Sequence, residues 1–217
     1  MATRRAYARS VFGSRDMVLD AILRKSLLVE KFPTIQVPDE TGRLLQLLVS
    51  MMRPQVVIEL GTLFGYSTIY LARALPPSGR VVTVEVDPAS ARLAAENFRL
   101  AGIADRIELI VADALVFLKT CSNSSVDMVF IDAQKKSYPD YFDEALRVLR
   151  PGGLLLADDA FPFGEYQESS ETSREAIIGI RAYNERVAHE PTLTSAFIWT
   201  ETGLLISYKA ESQDDGI

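Results

Sequence analysis

From residue 55 to residue 158 the chain alternates between short apolar runs and segments with helical spacing. The apolar runs are "QVVIEL" (55–60), "RVVTVEV" (80–86), "RIELIVA" (106–112), "VDMVFI" (126–131) and "LLLAD" (154–158). Helical spacing fills 66–75, 88–101, 113–119 and 139–149 between them. Strands this apolar are buried on both faces, and helices between them supply the covering layers. The alternation therefore predicts an α/β fold on a mostly parallel sheet, with five buried strands and helices on both faces. Asp87 and Pro88 supply an N-cap and a first-turn proline for one helix, and Pro151-Gly152-Gly153 stops another.

The flanks extend this frame. Residues 15–31 place Met17, Val18, Ala21, Ile22, Leu27 and Leu28 on a helical face. "FPTIQVP" has prolines too closely spaced for a helix. "DETGRLLQLLVSMM" reads as a second helix, apolar on nearly all sides, that stops before Pro54. Thr172 and Glu175 form a capping box for a helix carrying Ala176, Ile180, Tyr183 and Val187. "TLTSAFIWTETGLLISYK" predicts an antiparallel hairpin turning near Glu201–Gly203. The expected organisation is an N-terminal arm and helix over 1–34 (a substrate lid or dimer contact), one domain over 35–209 and a disordered tail over 210–217.

Several function classes are excluded by what the chain lacks. With His189 as its one histidine and Cys121 as its one cysteine, a Ser-His-Asp triad, a Cys-His pair or a multi-histidine zinc site is hard to assemble. No apolar run approaches the roughly 20 residues of a membrane span. The first residues, "MATRRAYARSVFGSRD", lack the apolar core of a secretory signal, and one cysteine suits a reducing cytosol, so a cytoplasmic location is expected. A net charge of −6 argues against nucleic acid as a partner, although Arg4, Arg5, Arg9 and Arg15 make the first residues locally basic.

Ligands of open α/β sheets bind beyond the carboxyl ends of the strands. The first strand ends in "ELGTLFGYS", where Gly61 and Gly65 permit a tight turn and close backbone approach. The spacing is neither the dinucleotide fingerprint nor a P-loop. Glu59 before it would repel a pyrophosphate and suits an ammonium group instead. Glu85, ending the second strand, offers an acceptor pair for ribose hydroxyls, and Asp113 and Ala114 end the third, where an adenine has room. Asp87 is better read as a helix N-cap, and capping competes at Asp113. Together these strand ends favour a nucleoside joined to an amino acid, a description that S-adenosylmethionine meets.

Strands four and five end in Asp132 and in Asp158-Asp159. Neighbouring strands run about 4.8 Å apart, so these carboxylates converge, and without a cation they repel one another. Oxygen-only ligands suit a hard ion, magnesium first, with calcium or manganese as alternatives.

In these segments the chain resembles the cation-dependent O-methyltransferases of the caffeoyl-coenzyme A and catechol type. The likeness spans about 35–209 and rests on "ELGTLFGYS", "VVTVEVDP", "AGIADRIELIVADAL", "VDMVFIDAQKKSYPDY", "LRPGGLLLADDAFPFG", "AYNERV" and "GLLISYK" in that order. It implies a Rossmann-like class I methyltransferase fold, with a seven-stranded sheet, an antiparallel last strand and assembly as a homodimer. It implies that Val37, Glu59, Gly61, Thr62, Ser67, Glu85 and Ala114 line the S-adenosylmethionine pocket, which Asp132 also borders. By the same likeness Asp132, Asp158 and Asp159 hold a divalent cation. The family's D-A-D-K-x-x-Y pattern aligns with Asp132-Ala133-Gln134-Lys135-Lys136-Ser137-Tyr138 and makes Lys135 the general base. A free lysine, with a pKa of about 10.4, is a poor base, so burial and a nearby dication are expected to lower it.

Lys136 has no such register and reads as a solvated neighbour. Gln134 and Asp159 depart from the pattern, which has acid and asparagine there. Phe161, Phe163 and Tyr166 are expected over the acceptor pocket. The implied reaction is methylation of one hydroxyl of a small vicinal-dihydroxy aromatic, a phenolic partner. The alternatives are a hydroxylated transfer-RNA base as acceptor, or a non-catalytic binding protein on the same fold.

Overall fold

Val57 and Ile58 are adjacent in the first strand and point into different cores, which sets the plan of the molecule. The computed structural model describes residues 16–161 and 171–211, with Tyr7 and Val11 before them. Seven strands form one sheet: β1 (Val56–Leu60), β2 (Arg80–Glu85), β3 (Ile107–Val111), β4 (Val126–Ile131), β5 (Leu149–Ala157), β6 (Leu193–Ile198) and β7 (Leu204–Lys209). Their order is β3-β2-β1-β4-β5-β7-β6. The first five pair in parallel, whereas β7 runs antiparallel to both β5 and β6. The expected seven-stranded fold with its closing hairpin is thus the one observed.

The helices are α1 (Met17–Arg24), α2 (Asp39–Met52), α3 (Tyr66–Ala74), α4 (Pro88–Leu100), α5 (Ala114–Thr120), α6 (Tyr138–Val148) and α7 (Glu171–His189). Side chains of α1 to α4 pack with Val57, Val81, Met128 and Phe130 on one face of the sheet. Those of α5 to α7 pack with Ile58, Val82, Val129 and Ile131 on the other. The alternation of Met128/Phe130 with Val129/Ile131 is the two-residue period of a strand covered on both sides. Asp87 caps α4 through the Ser90 N–H at 2.8 Å, and Asp113 caps α5 through the Val116 N–H at 2.9 Å.

Chain order turns back between β1 and β4, and ligands of doubly wound sheets bind at that switch. There Gly61 has φ +92°, and a Cβ on it would lie 2.1 Å from the Asp132 carbonyl oxygen. Any other residue would pry β1 from β4 at the mouth of the site.

Five expectations change. The helix expected over 15–31 ends at Arg24 and continues as a π-helical turn, Lys25–Val29. It buries Leu19 and Ile22 while Met17 and Leu28 are exposed, and Asp16 caps its first turn. Helix α2 is one-sided: Thr41, Leu45 and Val49 are buried, Leu47 and Met51 exposed. Strand β3 is an edge strand, only partly buried. Strand β5 begins at Leu149, not 154. Pro151-Gly152-Gly153 forms an irregularity between the pairs Val126↔Leu149 and Met128↔Leu154, a position where a sheet tolerates proline. Finally, Thr172 lies within α7, which is described from Glu171 onward, and not at a cap.

The arginine-rich residues at the N-terminus lie outside the described residues. So does 212–217 of the expected tail, whereas Ala210 still pairs with the Thr192 carbonyl at 2.8 Å. No helix among the described residues is long and apolar enough to cross a membrane.

Candidate active site

A cavity of about 1040 Å³ opens over the carboxyl ends of β1, β2, β4 and β5. Gly61, Thr62 and Ser67 line it after β1, Glu85 at the end of β2, and Ala114 at the start of α5. Val37 closes one side, and Asp132, Lys135, Asp158 and Asp159 stand at another. Of the residues expected around the donor, only Glu59 does not reach the wall.

Glu85 is positioned by the backbone it faces. Its Oε2 accepts the N–H groups of Thr62 (3.1 Å) and Leu63 (2.8 Å), and its Oε1 accepts that of Asp87 (2.9 Å). A carboxylate has about four lone-pair sites, so Oε1 keeps one for a ligand hydroxyl. That fits a ribose at the end of β2.

Glu59 is fully buried one layer behind the cavity. Ser67 donates to its Oε1 at 2.6 Å, Thr83 to its Oε2 at 2.6 Å, and Thr68 also donates to Oε2. Glu59 is linked to the cavity through Ser67 and, by way of Thr83, through Thr62, both of which line it. Burial pushes its carboxyl up to about 7 against the pull of the three hydroxyls, with Asp132 adding a smaller push. A raised acid favours the folded state below its unfolded pKa, and that advantage is lost as pH rises through the folded one. Glu59→Gln should accordingly gain stability over wild type between about pH 4.5 and 7, up to roughly 3 kcal/mol. Melting curves of both proteins across that range check this; a constant difference would show that Glu59 does not titrate there.

Parallel pairing of Ile131 with Ala157 puts the next residues, Asp132 and Asp158, side by side. One carboxylate oxygen from each of Asp132, Asp158 and Asp159 lies within 4.8 Å of the other two. Asp158 is buried, and Thr202 donates to it, 3.0 Å from Oδ1 and 3.1 Å from Oδ2. Burial, then the charges of Asp132 and Asp159, push the Asp158 carboxyl well above the usual carboxylate range. Asp159 has φ +53°, a left-handed conformation that aspartate and asparagine tolerate better than most residues. The exchange of asparagine for aspartate is therefore easy on the backbone.

Lys135 reaches into this cluster. Its Nζ donates to Asp132 Oδ1 at 2.7 Å, lies 2.9 Å from Asp159 Oδ2, and donates to the Tyr138 phenol at 2.8 Å. The phenol in turn donates to the Asp158 main-chain carbonyl at 3.0 Å. Burial acts to lower the lysine pKa as expected. Asp132, Tyr138 and Asp159 outweigh it and hold the pKa well above the ordinary value. The lowering was expected from burial together with a nearby dication, and the carboxylates by themselves act in the opposite sense. With all three acids ionised, one ammonium among them leaves a double negative charge, which suits a dication. Hard divalent ions bond oxygen at about 2.0–2.6 Å, so opposite ligands lie about 4–5 Å apart, and the acid cluster fits within that span.

Lys136 is half-exposed, 3.6 Å from Glu175, and takes no part in the cluster. Phe161 packs on Phe197 and Trp199, with ring centroids at 5.3 and 4.8 Å, and does not line the cavity. Phe163 and Tyr166 lie outside the described residues. Thr202, whose contact with Asp158 spans 44 residues, could not be found from any local pattern. Tyr138 was visible only as the end of the motif, without a role.

The family model for O-methyltransferases matches residues 11–210. A catechol O-methyltransferase of Niastella koreensis is 38% identical over 183 residues, covering 82% of this chain and 81% of that protein. The catechol O-methyltransferase of Mycobacterium tuberculosis is 36% identical over 195 residues, covering 90% and 87%. The O-methyltransferase of Bacillus cereus, solved in complex with SAH, superimposes with a TM-score of 0.85 at 32% identity, covering 94% of this chain and 95% of that one.

Proposed function

Because the chain belongs to the O-methyltransferase family and is an S-adenosylmethionine-dependent enzyme, we propose that it methylates one hydroxyl of a small vicinal-dihydroxy aromatic. In this reading Asp132, Asp158 and Asp159 hold a divalent cation and Lys135 is the general base. The observation that carries it is the meeting of the three carboxylates with the Lys135 Nζ at one end of the cavity. S-adenosylmethionine supplies an electrophilic methyl group. A hard cation at the carboxylates supplies Lewis acidity that makes a phenolic hydroxyl easier to ionise.

The chain's own residues do the rest. Gly61, Thr62, Ser67, Glu85 and Ala114 form the donor end of the cavity, and the acid cluster forms the acceptor end. Holding both partners in one cavity turns a bimolecular encounter into an oriented one. Lys135 takes the phenolic proton at Nζ. That needs the neutral amine, which becomes accessible once the charge of Asp132 and Asp159 is taken up and burial dominates the lysine. Tyr138 keeps the amine in place by accepting one of its hydrogens, since its own proton is committed to the Asp158 carbonyl.

The test is methyl transfer to catechols, caffeoyl compounds and matched monophenols, each with added magnesium and with chelator. Catechols are expected to react at least about 100-fold faster than monophenols, in line with a contribution of several kcal/mol from a Lewis acid. Equal rates on the two acceptor classes would reject the vicinal-dihydroxy reading, and rates unmoved by chelator would reject the metal.

A further inference from the structure

Gly179 lies in the middle of α7, where glycine is about 1 kcal/mol less favourable than alanine. What it faces explains its presence. A Cβ at 179 would lie 2.3 Å from the Lys135 main-chain oxygen and 2.7 Å from Lys136 Cα. Both are backbone atoms of the 3₁₀ turn Lys135–Ser137, so helix and turn would have to separate.

One turn along the same helix, the buried Tyr183 packs edge-on against Tyr138, centroids 5.5 Å apart. Asn184, next to it, donates from Nδ2 to the Ala160 carbonyl at 2.8 Å, directly after Asp159. The helix therefore grips both segments whose side chains meet at the site: the Lys135 turn at Gly179 and the Asp159 loop at Asn184.

We propose that α7 is a positioning strut, in which Gly179 sets the depth of the Lys135 turn and Asn184 holds the Asp159 loop against it. Neither residue lines the cavity, so each acts through the groups it places. The inference rests on the reading of Lys135 as base. Displacing the Lys135 backbone by the amount a methyl group demands moves Nζ with it, and a misplacement of about 1 Å costs on the order of 100-fold in rate.

The experiment is a double-mutant cycle between Gly179→Ala and Lys135→Ala, with kcat, acceptor KM, calorimetric affinity for S-adenosylmethionine and melting temperature measured for each protein. Gly179→Ala is expected to lower kcat by about 100-fold while donor affinity stays within about twofold. In the Lys135→Ala background the same change should cost less than about twofold, because the group it positions is already gone. Should Gly179→Ala fail to fold, Asn184→Ala enters a matching cycle with Asp159→Ala, the group whose loop it holds, under the same criterion and with an expected loss of about tenfold. Equal factors in both backgrounds, or a folded Gly179→Ala enzyme with wild-type kcat, would overturn the strut alone. A Lys135→Ala enzyme with undiminished kcat would overturn the base assignment and the strut together.

Discussion

Lys135→Ala is expected to lower kcat by about two to four orders of magnitude, the usual contribution of a positioned general base, with donor affinity nearly unchanged. The ion pairs around this residue raise a rival role, since Nζ sits 2.7 Å from Asp132 and 2.9 Å from Asp159 and neutralises part of the cluster. Lys135→Arg separates the two. Arginine keeps the positive charge but does not deprotonate in proteins, so it serves as counter-ion and not as base. Single-turnover rates of both variants decide. If the base reading holds, arginine is about as slow as alanine; recovery of most of the rate by arginine would make Lys135 an electrostatic residue only. Lys136→Ala, removing a half-exposed side chain whose partner lies 3.6 Å away, should stay within about twofold of wild type.

The parts of this site that were legible in the sequence sit on the regular lattice of the sheet. Asp132 and Asp158 follow Ile131 and Ala157, which are register partners, so strand ends alone brought them together. Gly61 was legible for the same reason: it follows the last residue of β1 and faces the end of β4. Distances within the cluster were not legible. Burial of Lys135 was legible, but which carboxylate oxygens its flexible side chain reaches, and so how strongly they oppose that burial, was not. Glu59 was misplaced by one layer, because a strand end does not tell whether an acid turns to the cavity or to the hydroxyls of Ser67, Thr68 and Thr83. The start of β5 was missed because Pro151-Gly152-Gly153 carries the chemistry of a turn and here serves as an irregularity in a pair. Gly179 stood in plain view, yet the need for it is a contact across 44 residues of chain that no local pattern announces.

Removing the acid that is most deeply placed in the cluster should have opposite effects on stability and on activity. Asp158 is buried and crowded by Asp132 and Asp159, so its ionisation in the folded chain is opposed by desolvation and by like charge. In metal-free buffer near neutral pH, Asp158→Asn is therefore expected to melt no lower than wild type. Its activity should fall by at least about 100-fold, since even groups that only orient a metal ligand are worth 10–100-fold. Ion binding is the third readout and needs no turnover. A cation that binds only the folded state stabilises it by about 2.7 kcal/mol at 100 times its dissociation constant. Titrating magnesium, manganese and calcium should raise the wild-type melting temperature and leave that of Asp158→Asn unmoved. Asp159→Asn is the intermediate case. It keeps an oxygen ligand and a residue suited to φ +53°, but removes one negative charge from the cluster. Because hard ions are held more weakly as ligand charge falls, it should retain most of the maximal rate and need more added metal for half of it. A wild-type melting temperature indifferent to all three ions, with activity that survives chelation, would mean that Lys135 and Thr202 already satisfy these acids and that the cluster serves the acceptor directly.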